Sequence, residues 1–103
     1  MSVIINFAIF PTDKGESASA YVSKVLKMID ESGYAYQLNP MGTSIETETM
    51  KEALAVVQKA HDILETDCNR IYTAITIDYR KGEMGRMARK IDSIESKIGK
   101  INH

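Results

Sequence analysis

Strict alternation of hydrophobic and polar positions marks four segments of the chain. Residues 3–10 alternate so that one side of a strand is fully apolar and the other side is mixed. Residues 70–81 alternate in the same way over an even longer stretch. Two shorter alternating segments, residues 34–39 and 43–48, are separated by Pro40-Met41-Gly42, which is typical of a hairpin or a tightly bent pair of strands. The pattern therefore predicts four strands.

Helical spacing of apolar residues marks three further segments. The first begins near Ala18, after a stretch rich in turn and cap residues, and is closed by Ser32-Gly33. The second follows Thr49, which has a glutamate three residues later as in a capping box, and extends to Leu64. The third occupies residues 84–98, with Lys and Glu on its outer side. We expect three amphipathic helices.

The order of these elements predicts an α+β fold. Strand, helix, strand, strand, helix, strand is the ferredoxin-like βαββαβ arrangement, here with an additional C-terminal helix. Two helices would cover one face of a four-stranded antiparallel sheet, and the odd-numbered apolar residues of the first and last strands should point at them. With 103 residues, we expect one domain over residues 1–103.

The other face of the sheet, called the open face below, lacks an obvious cover. Its expected apolar residues are Ile4, Ala8, Phe10, Tyr72 and Ala74. Its expected polar residues are Asn6, Ser44, Glu46, Glu48, Thr76, Asp78 and Arg80. The third helix could cover this face, but a second subunit is the expected cover, because exposed apolar patches with a polar rim mark interfaces.

Composition and charge exclude several classes of function. Thirteen Lys and Arg against fourteen Asp and Glu give a net charge of −1, without the basic excess that favours nucleic-acid or anionic-membrane partners. The chain has no apolar run near the roughly 20 residues of a membrane helix and no secretory signal, so we expect a cytoplasmic protein. The lone cysteine Cys68 and the two histidines, His61 and His103, have no metal-ligand spacing. We expect no metal site and no required cofactor.

Two stretches could carry chemistry. The turn at residues 39–46 can be sharp, because Pro40 fixes one backbone angle and Gly42 permits a positive one, and it could present the Thr43 hydroxyl; an ordinary hairpin turn is the alternative. Glu46 on the open face would need a partner if it were buried. Asp78 and Arg80 are the charges most able to provide one. A solvated strand face or an intersubunit salt bridge would explain these charges as well as a ligand would. His61, on the apolar side of the second helix, is expected to be a core-edge residue.

A set of short motifs is distributed along the chain: Pro11, Ser17, Ser19, Tyr21-Val22, Pro40-Met41-Gly42-Thr43, Ile45-Glu46, Ala60-His61, Arg70-Ile71-Tyr72-Thr73 and Ile77-Asp78-Tyr79-Arg80. In these motifs the chain resembles the thiamine-binding protein family. The resemblance covers nearly all of the chain, and the Met-Gly-Thr stretch is its most specific part. Thr49 stands where an acidic residue often caps the second helix of the family.

The resemblance implies a non-catalytic protein that binds thiamine or its hydroxymethylpyrimidine moiety, assembled as homodimers with facing sheets or as homotetramers. A cationic thiazolium and an aminopyrimidine call for a carboxylate, hydrogen-bonding groups and an aromatic wall. The expected ligand-binding residues on the open face are Asn6, Phe10, Thr43, Ser44, Glu46 and Tyr72. Sugar phosphates or nucleotides would need more positive charge there than Arg80 alone supplies.

Two alternatives from other classes stay open. The first is a cofactor-independent enzyme on a dimeric ferredoxin-like scaffold, for which only Glu46, Glu48 and Asp78 could serve as acid or base on the open face. The second is a structural module whose polar residues merely surround a subunit contact.

Overall fold

A computed structural model describes residues 1–100 of the chain; His103 lies outside the described residues. The strands are β1 Ser2–Pro11, β2 Ala35–Asn39, β3 Gly42–Thr47 and β4 Ile71–Arg80. The helices are α1 Ala18–Ser32, α2 Met50–Glu65 and α3 Arg86–Ile98. A short 3₁₀ turn, Gly15–Ser17, precedes α1. The predicted order of elements is confirmed.

The four strands form one sheet in the order β2-β3-β1-β4, and every neighbouring pair is antiparallel. Because β1 separates β3 from β4, the two βαβ halves interlock, as in the ferredoxin-like arrangement. The predicted fold class is confirmed.

The strand register assigns each residue to a face, since directly opposed residues on neighbouring strands share one. Ile5 lies opposite Ile45 on one side and Ile77 on the other. Asn6 lies opposite Ser44 and Thr76. The core packs against the first of these faces, under α1 and α2. Its buried members are Val3, Ile5, Phe7, Ile9, Val25, Ile29, Ile45, Ala53, Val56, Ala60, Leu64 and Cys68.

Helix α1 ends and α2 begins where the local sequence predicts. Gly33 follows α1 with φ of 83°, a left-handed conformation that glycine adopts without a Cβ penalty. Thr49 accepts a hydrogen bond from the backbone N–H of Glu52 at 3.1 Å, and the Glu52 carboxylate accepts one from the backbone N–H of Thr49 at 3.1 Å. The predicted capping box is therefore present.

Strand β4 departs from one expectation. Its odd-numbered residues lie on the helix side, but Ile75, Ile77 and Tyr79 remain 40%, 41% and 46% exposed. The expected face of these residues is confirmed, but α1 and α2 cover them only in part. The reason is that β4 is an edge strand, whereas the core of the two helices packs over β1 and β3. Both faces of β4 therefore expose apolar side chains.

Helix α3 is attached to one end of the open face and has no buried residue. Its first turn packs near Ser2 and Glu46, whereas Phe10 and Tyr72, at the other end of the face, stay exposed. The described chain measures 45 × 29 × 22 Å, and its radius of gyration of 14.9 Å exceeds the roughly 13 Å typical of a compact chain of this length. Within residues 1–100, no helix combines the length and the apolar character needed to cross a membrane.

Candidate functional site

Five of the six predicted ligand-binding residues lie on the open face, but at three separate places. Asn6 and Ser44 are paired on the middle of the open face, where the Ser44 hydroxyl donates to Asn6 Oδ1 at 3.2 Å. Glu46 lies opposite Ile4, towards α3. Phe10 and Tyr72 form a ring contact of 5.3 Å between centroids at the opposite end. Phe10 is six positions from Ile4 along β1, a distance of roughly 20 Å. Within one protomer, a single small ligand does not reach both ends.

Thr43 lies on the helix side of the sheet, so its expected place on the open face is wrong. The register puts it opposite Phe7, and it is only 6% exposed. Because side chains alternate between faces, one position along β3 separates Thr43 from the open-face residue Ser44.

Glu46 is 1% exposed, and donors from this same chain surround its carboxylate. The Ser2 hydroxyl and the backbone N–H groups of Gly85 and Arg86 donate to Oε2, the latter two at 2.9 and 3.2 Å. The backbone N–H of Met87 donates to Oε1 at 3.4 Å. Glu46 therefore satisfies the free N–H groups at the start of α3, where a negative charge also complements the helix dipole.

These contacts set the protonation state of Glu46. Burial by itself would raise the pKa of this carboxyl group, but the hydrogen bonds from Ser2 and from the backbone of Arg86, Met87 and Gly85 outweigh it. The pKa is therefore lowered below its usual value of 4.5, and Glu46 is a carboxylate at neutral pH.

Arg86 completes this cluster, which we call the α3 anchor: Ser2, Glu46, Asp78 and Arg86. Its guanidinium donates to Ser2 Oγ, to Ser2 O and to Asp78 Oδ2, each at 2.9 Å. The side chain is 12% exposed. The sequence suggested Asp78 and Arg80 for this network; in the described chain Asp78 joins it by accepting a hydrogen bond from Arg86, whereas Arg86 takes the place expected for Arg80. In the sequence, the one indication of this role for Arg86 was its position in the first turn of the third predicted helix.

A cavity of about 360 Å³, called the turn cavity below, lies between α1 and the β2–β3 turn. Its apolar walls include Phe7, Ile9, Phe10, Val22, Val25 and Leu26. Its polar lining residues are Ser19, Ser23, Asn39 and Thr43. Asn39 also shapes the turn, because its side-chain oxygen accepts the Met41 N–H at 2.9 Å. Among residues 1–100, no charged side chain lines this cavity.

Gly42 is required by close packing, and not by a positive φ as the sequence suggested. Its φ is not in the left-handed region. A Cβ placed there would lie 2.8 Å from the carbonyl oxygen of Phe7. The absence of a side chain therefore lets the turn, which lines the turn cavity, approach β1 closely.

We predict that Gly42→Ala lowers the free energy of unfolding by about 1–3 kcal/mol, because backbone atoms of β1 or of the turn must move to relieve the clash. Urea denaturation of both proteins measures the difference in the free energy of unfolding. The control Met41→Ala, at a side chain 82% exposed, should stay within about 0.5 kcal/mol of the unmodified protein. Equal unfolding free energies for the two variants would contradict the packing argument.

A second cavity, of about 780 Å³, lies between the open face and α3. We call it the basic cavity, because Arg80, Lys81, Arg86, Arg89 and Lys90 line it. Ser44 is the one predicted ligand-binding residue in its lining. His61 lines neither cavity; it lies on α2 with Nε2 at 3.4 Å from Glu65 Oε2.

Comparison with known proteins gives three kinds of match. Relatives include a UPF0045 protein of Mycobacterium bovis, 32% identical over 92% of this chain and 93% of that protein. They also include the UPF0045 protein YqgV of Bacillus subtilis, 34% identical over 80% of this chain and 83% of its own length.

Solved structures show the same fold. A hypothetical protein of Methanocaldococcus jannaschii is 30% identical, with a TM-score of 0.78 over 90% of this chain and 95% of that one. A candidate thiamine biosynthesis or salvage protein of Thermotoga maritima has a TM-score of 0.78 over 91% of this chain and 99% of its own. Because that identity is 20%, this second likeness concerns the fold alone.

The family comparison is the most direct. The model of the family described as "Thiamine-binding protein" matches residues 5–95, a span that includes β1 from its fourth residue onward, all of the other three strands and most of α3. The chain belongs to the thiamine-binding protein family.

Proposed function

We propose that this protein binds thiamine or its hydroxymethylpyrimidine moiety without catalysis, and that the ligand occupies the turn cavity. The observation that carries the proposal is a convergence of separate segments. Ser19 and Val22 of α1 and residues 40–43 of the turn belong to the stretches that resemble the family, and all of them line this one cavity.

The chemistry of the cavity suits the neutral half of thiamine. Apolar walls with a few hydroxyl and amide groups are typical of small-molecule sites, and 360 Å³ is within the usual range of about 300–1,000 Å³. An aminopyrimidine ring can stack against Phe10 and exchange hydrogen bonds with Thr43 or Asn39. Because the lining carries no charge, we place the cationic thiazolium at the mouth of the cavity.

The places of three acidic residues support binding without catalysis. The acids that the enzyme alternative would use are engaged elsewhere or remote: Glu46 holds α3, and Asp78 accepts from Arg86 at 2.9 Å. Glu48 is exposed beyond the end of β3. None of the three lines the turn cavity. General acid–base catalysis requires such a group within hydrogen-bond reach of the ligand.

We also propose that the protein is a homo-oligomer in which a second copy covers the Phe10–Tyr72 end of the open face. Phe10 and Tyr72 are 40% and 53% exposed, and Ala8 and Ala74 lie opposite each other beside them. Contiguous exposed apolar side chains of this kind mark interfaces. Since Phe10 also lines the turn cavity, the second copy would lie close to its mouth.

Calorimetry with thiamine and with hydroxymethylpyrimidine tests the proposed ligand. We expect heat of binding, and stabilisation of about 2.7 kcal/mol at a ligand concentration one hundred times the dissociation constant. Thr43→Val removes one hydroxyl at nearly constant shape, so affinity should fall by about 2- to 12-fold, the equivalent of one hydrogen bond of about 0.5–1.5 kcal/mol.

The control is Thr73→Val, at an exposed position of β4 outside the cavity, which should leave affinity unchanged. If neither compound gives heat or raises the melting temperature of the unmodified protein, the proposed ligand is wrong. If both compounds bind but Thr43→Val and Thr73→Val behave alike, the ligand does not occupy the turn cavity.

A further inference from the structure

The basic cavity carries an excess of positive charge that the fold does not use. Two of its cations are paired within the chain: Arg86 with Asp78 at 2.9 Å and Arg89 with Glu83 at 3.5 Å. Among residues 1–100, Arg80, Lys81 and Lys90 have no carboxylate partner. Three unpaired cations thus surround one concave site in a chain whose net charge is −1.

The tertiary structure assembles this charge from separate parts of the chain. Arg80 ends β4, Lys81 begins the following loop and Lys90 lies one helical turn into α3. The α3 anchor holds the two sides together, since Arg86 joins α3 to Ser2 and Asp78. Glu46 keeps its negative charge but does not line the cavity, and the backbone N–H dipoles of Gly85, Arg86 and Met87 point at its carboxylate. Asp78 and Glu83 also line the cavity, so its five cations and two carboxylates leave an excess of three positive charges, which attracts anions.

The remaining lining is suited to an organic group. Ile4 of the open face and Met87 and Ile91 of α3 are half-buried and form an apolar part of the wall. Ser44 and Gln37 provide neutral hydrogen-bonding groups. The volume of about 780 Å³ exceeds what a phosphate ion alone would fill. Arg and Lys side chains are the usual ligands of phosphate groups.

We propose that the basic cavity binds a phosphorylated organic small molecule, with its phosphate towards Arg80, Lys81 and Lys90 and its organic part against Ile4, Met87 and Ile91. The site is independent of the proposed thiamine site, because the basic cavity and the turn cavity share no lining residue. The sequence analysis expected Arg80 alone to supply too little positive charge for such ligands. In the structure, α3 and the loop before it add further cations around the same cavity.

Calorimetry at low salt with inorganic pyrophosphate, AMP and adenosine tests the site. We expect pyrophosphate and AMP to bind, and adenosine, which lacks the phosphate, to bind at least tenfold more weakly than AMP. The double variant Lys81→Glu/Lys90→Glu should weaken pyrophosphate binding at least tenfold. The matched control Lys51→Glu/Lys59→Glu makes the same change in net charge at exposed positions of α2, and it should stay within twofold.

Two results would overturn the proposal: no binding of pyrophosphate or AMP by the unmodified protein, or equal weakening in both double variants, which would indicate attraction by net charge alone. Saturating thiamine should leave the pyrophosphate affinity unchanged, whereas competition between the two would refute a separate site. Absence of thiamine binding would contradict the proposed function only.

Discussion

Ala74→Arg is expected to dissociate the proposed oligomer into folded monomers. Ala74 lies opposite Ala8 on the open face, beside the exposed pair of Phe10 and Tyr72. A guanidinium in the middle of this apolar patch would lose its water without gaining a partner, which costs several kcal/mol. The dissociation constant should rise at least a hundredfold, which corresponds to about 2.8 kcal/mol. Sedimentation at several concentrations measures it.

The control for this prediction is Ala55→Arg, which adds the same side chain at an exposed position of α2 on the other side of the sheet. It should leave the assembly intact. Circular dichroism should show the same helix content for both variants, because the core under α1 and α2 does not include Ala74. An unmodified protein that stays monomeric at every concentration would refute the proposed assembly. An Ala74→Arg variant that stays oligomeric would place the interface elsewhere.

Glu46→Gln is expected to loosen α3 while leaving thiamine affinity unchanged. The amide keeps the shape and one acceptor but loses the charge, so hydrogen bonds that contribute about 1.5–3 kcal/mol are weakened. If α3 detaches locally, the amide hydrogens of Gly85, Arg86 and Met87 should exchange about 10- to 150-fold faster, since each factor of ten corresponds to about 1.4 kcal/mol. Hydrogen exchange measured by NMR reports each of these amides separately.

The matched control is Glu48→Gln, which removes the same charge from an exposed position just beyond β3. It should leave the exchange of the three amides unchanged. Equal exchange in the two variants would show that Glu46 does not hold α3. If Glu46→Gln loses thiamine affinity while its amide exchange stays normal, the ligand binds on the open face beside Glu46, as the sequence analysis expected, and not in the turn cavity.

The contribution of Glu46 to stability depends on pH in a defined direction. Its pKa is lower in the folded chain than its usual value of 4.5, so folding favours the carboxylate. The stabilisation is therefore complete above about pH 4.5 and is lost as the pH falls through the lowered pKa of the folded state. The difference in unfolding free energy between the unmodified protein and Glu46→Gln should shrink over this acidic range.

Hydrophobic spacing was sufficient to predict the elements and their order. Burial of one face imposes a period of two on a strand such as β1 and of 3.6 on a helix such as α2, and both periods are local properties of the sequence. The same spacing correctly assigned Ser44 and Glu46 to the open face. The capping box at Thr49 and the end of α1 at Gly33 were equally local, and both are present.

Contacts between distant parts of the chain determined the rest. Glu46 meets Ser2 and Gly85, which are 44 and 39 positions away, so no local pattern could distinguish a helix-anchoring carboxylate from a ligand-binding one. Thr43 is different, because the period of two that places Ser44 and Glu46 on the open face already places Thr43 on the helix side; the open-face expectation treated Thr43 as part of the turn. The two cavities likewise form because α1 meets the turn at residues 40–43 and α3 is held against the open face. Sequence periodicity shows which residues share a face, but only packing in three dimensions brings a residue to its partner.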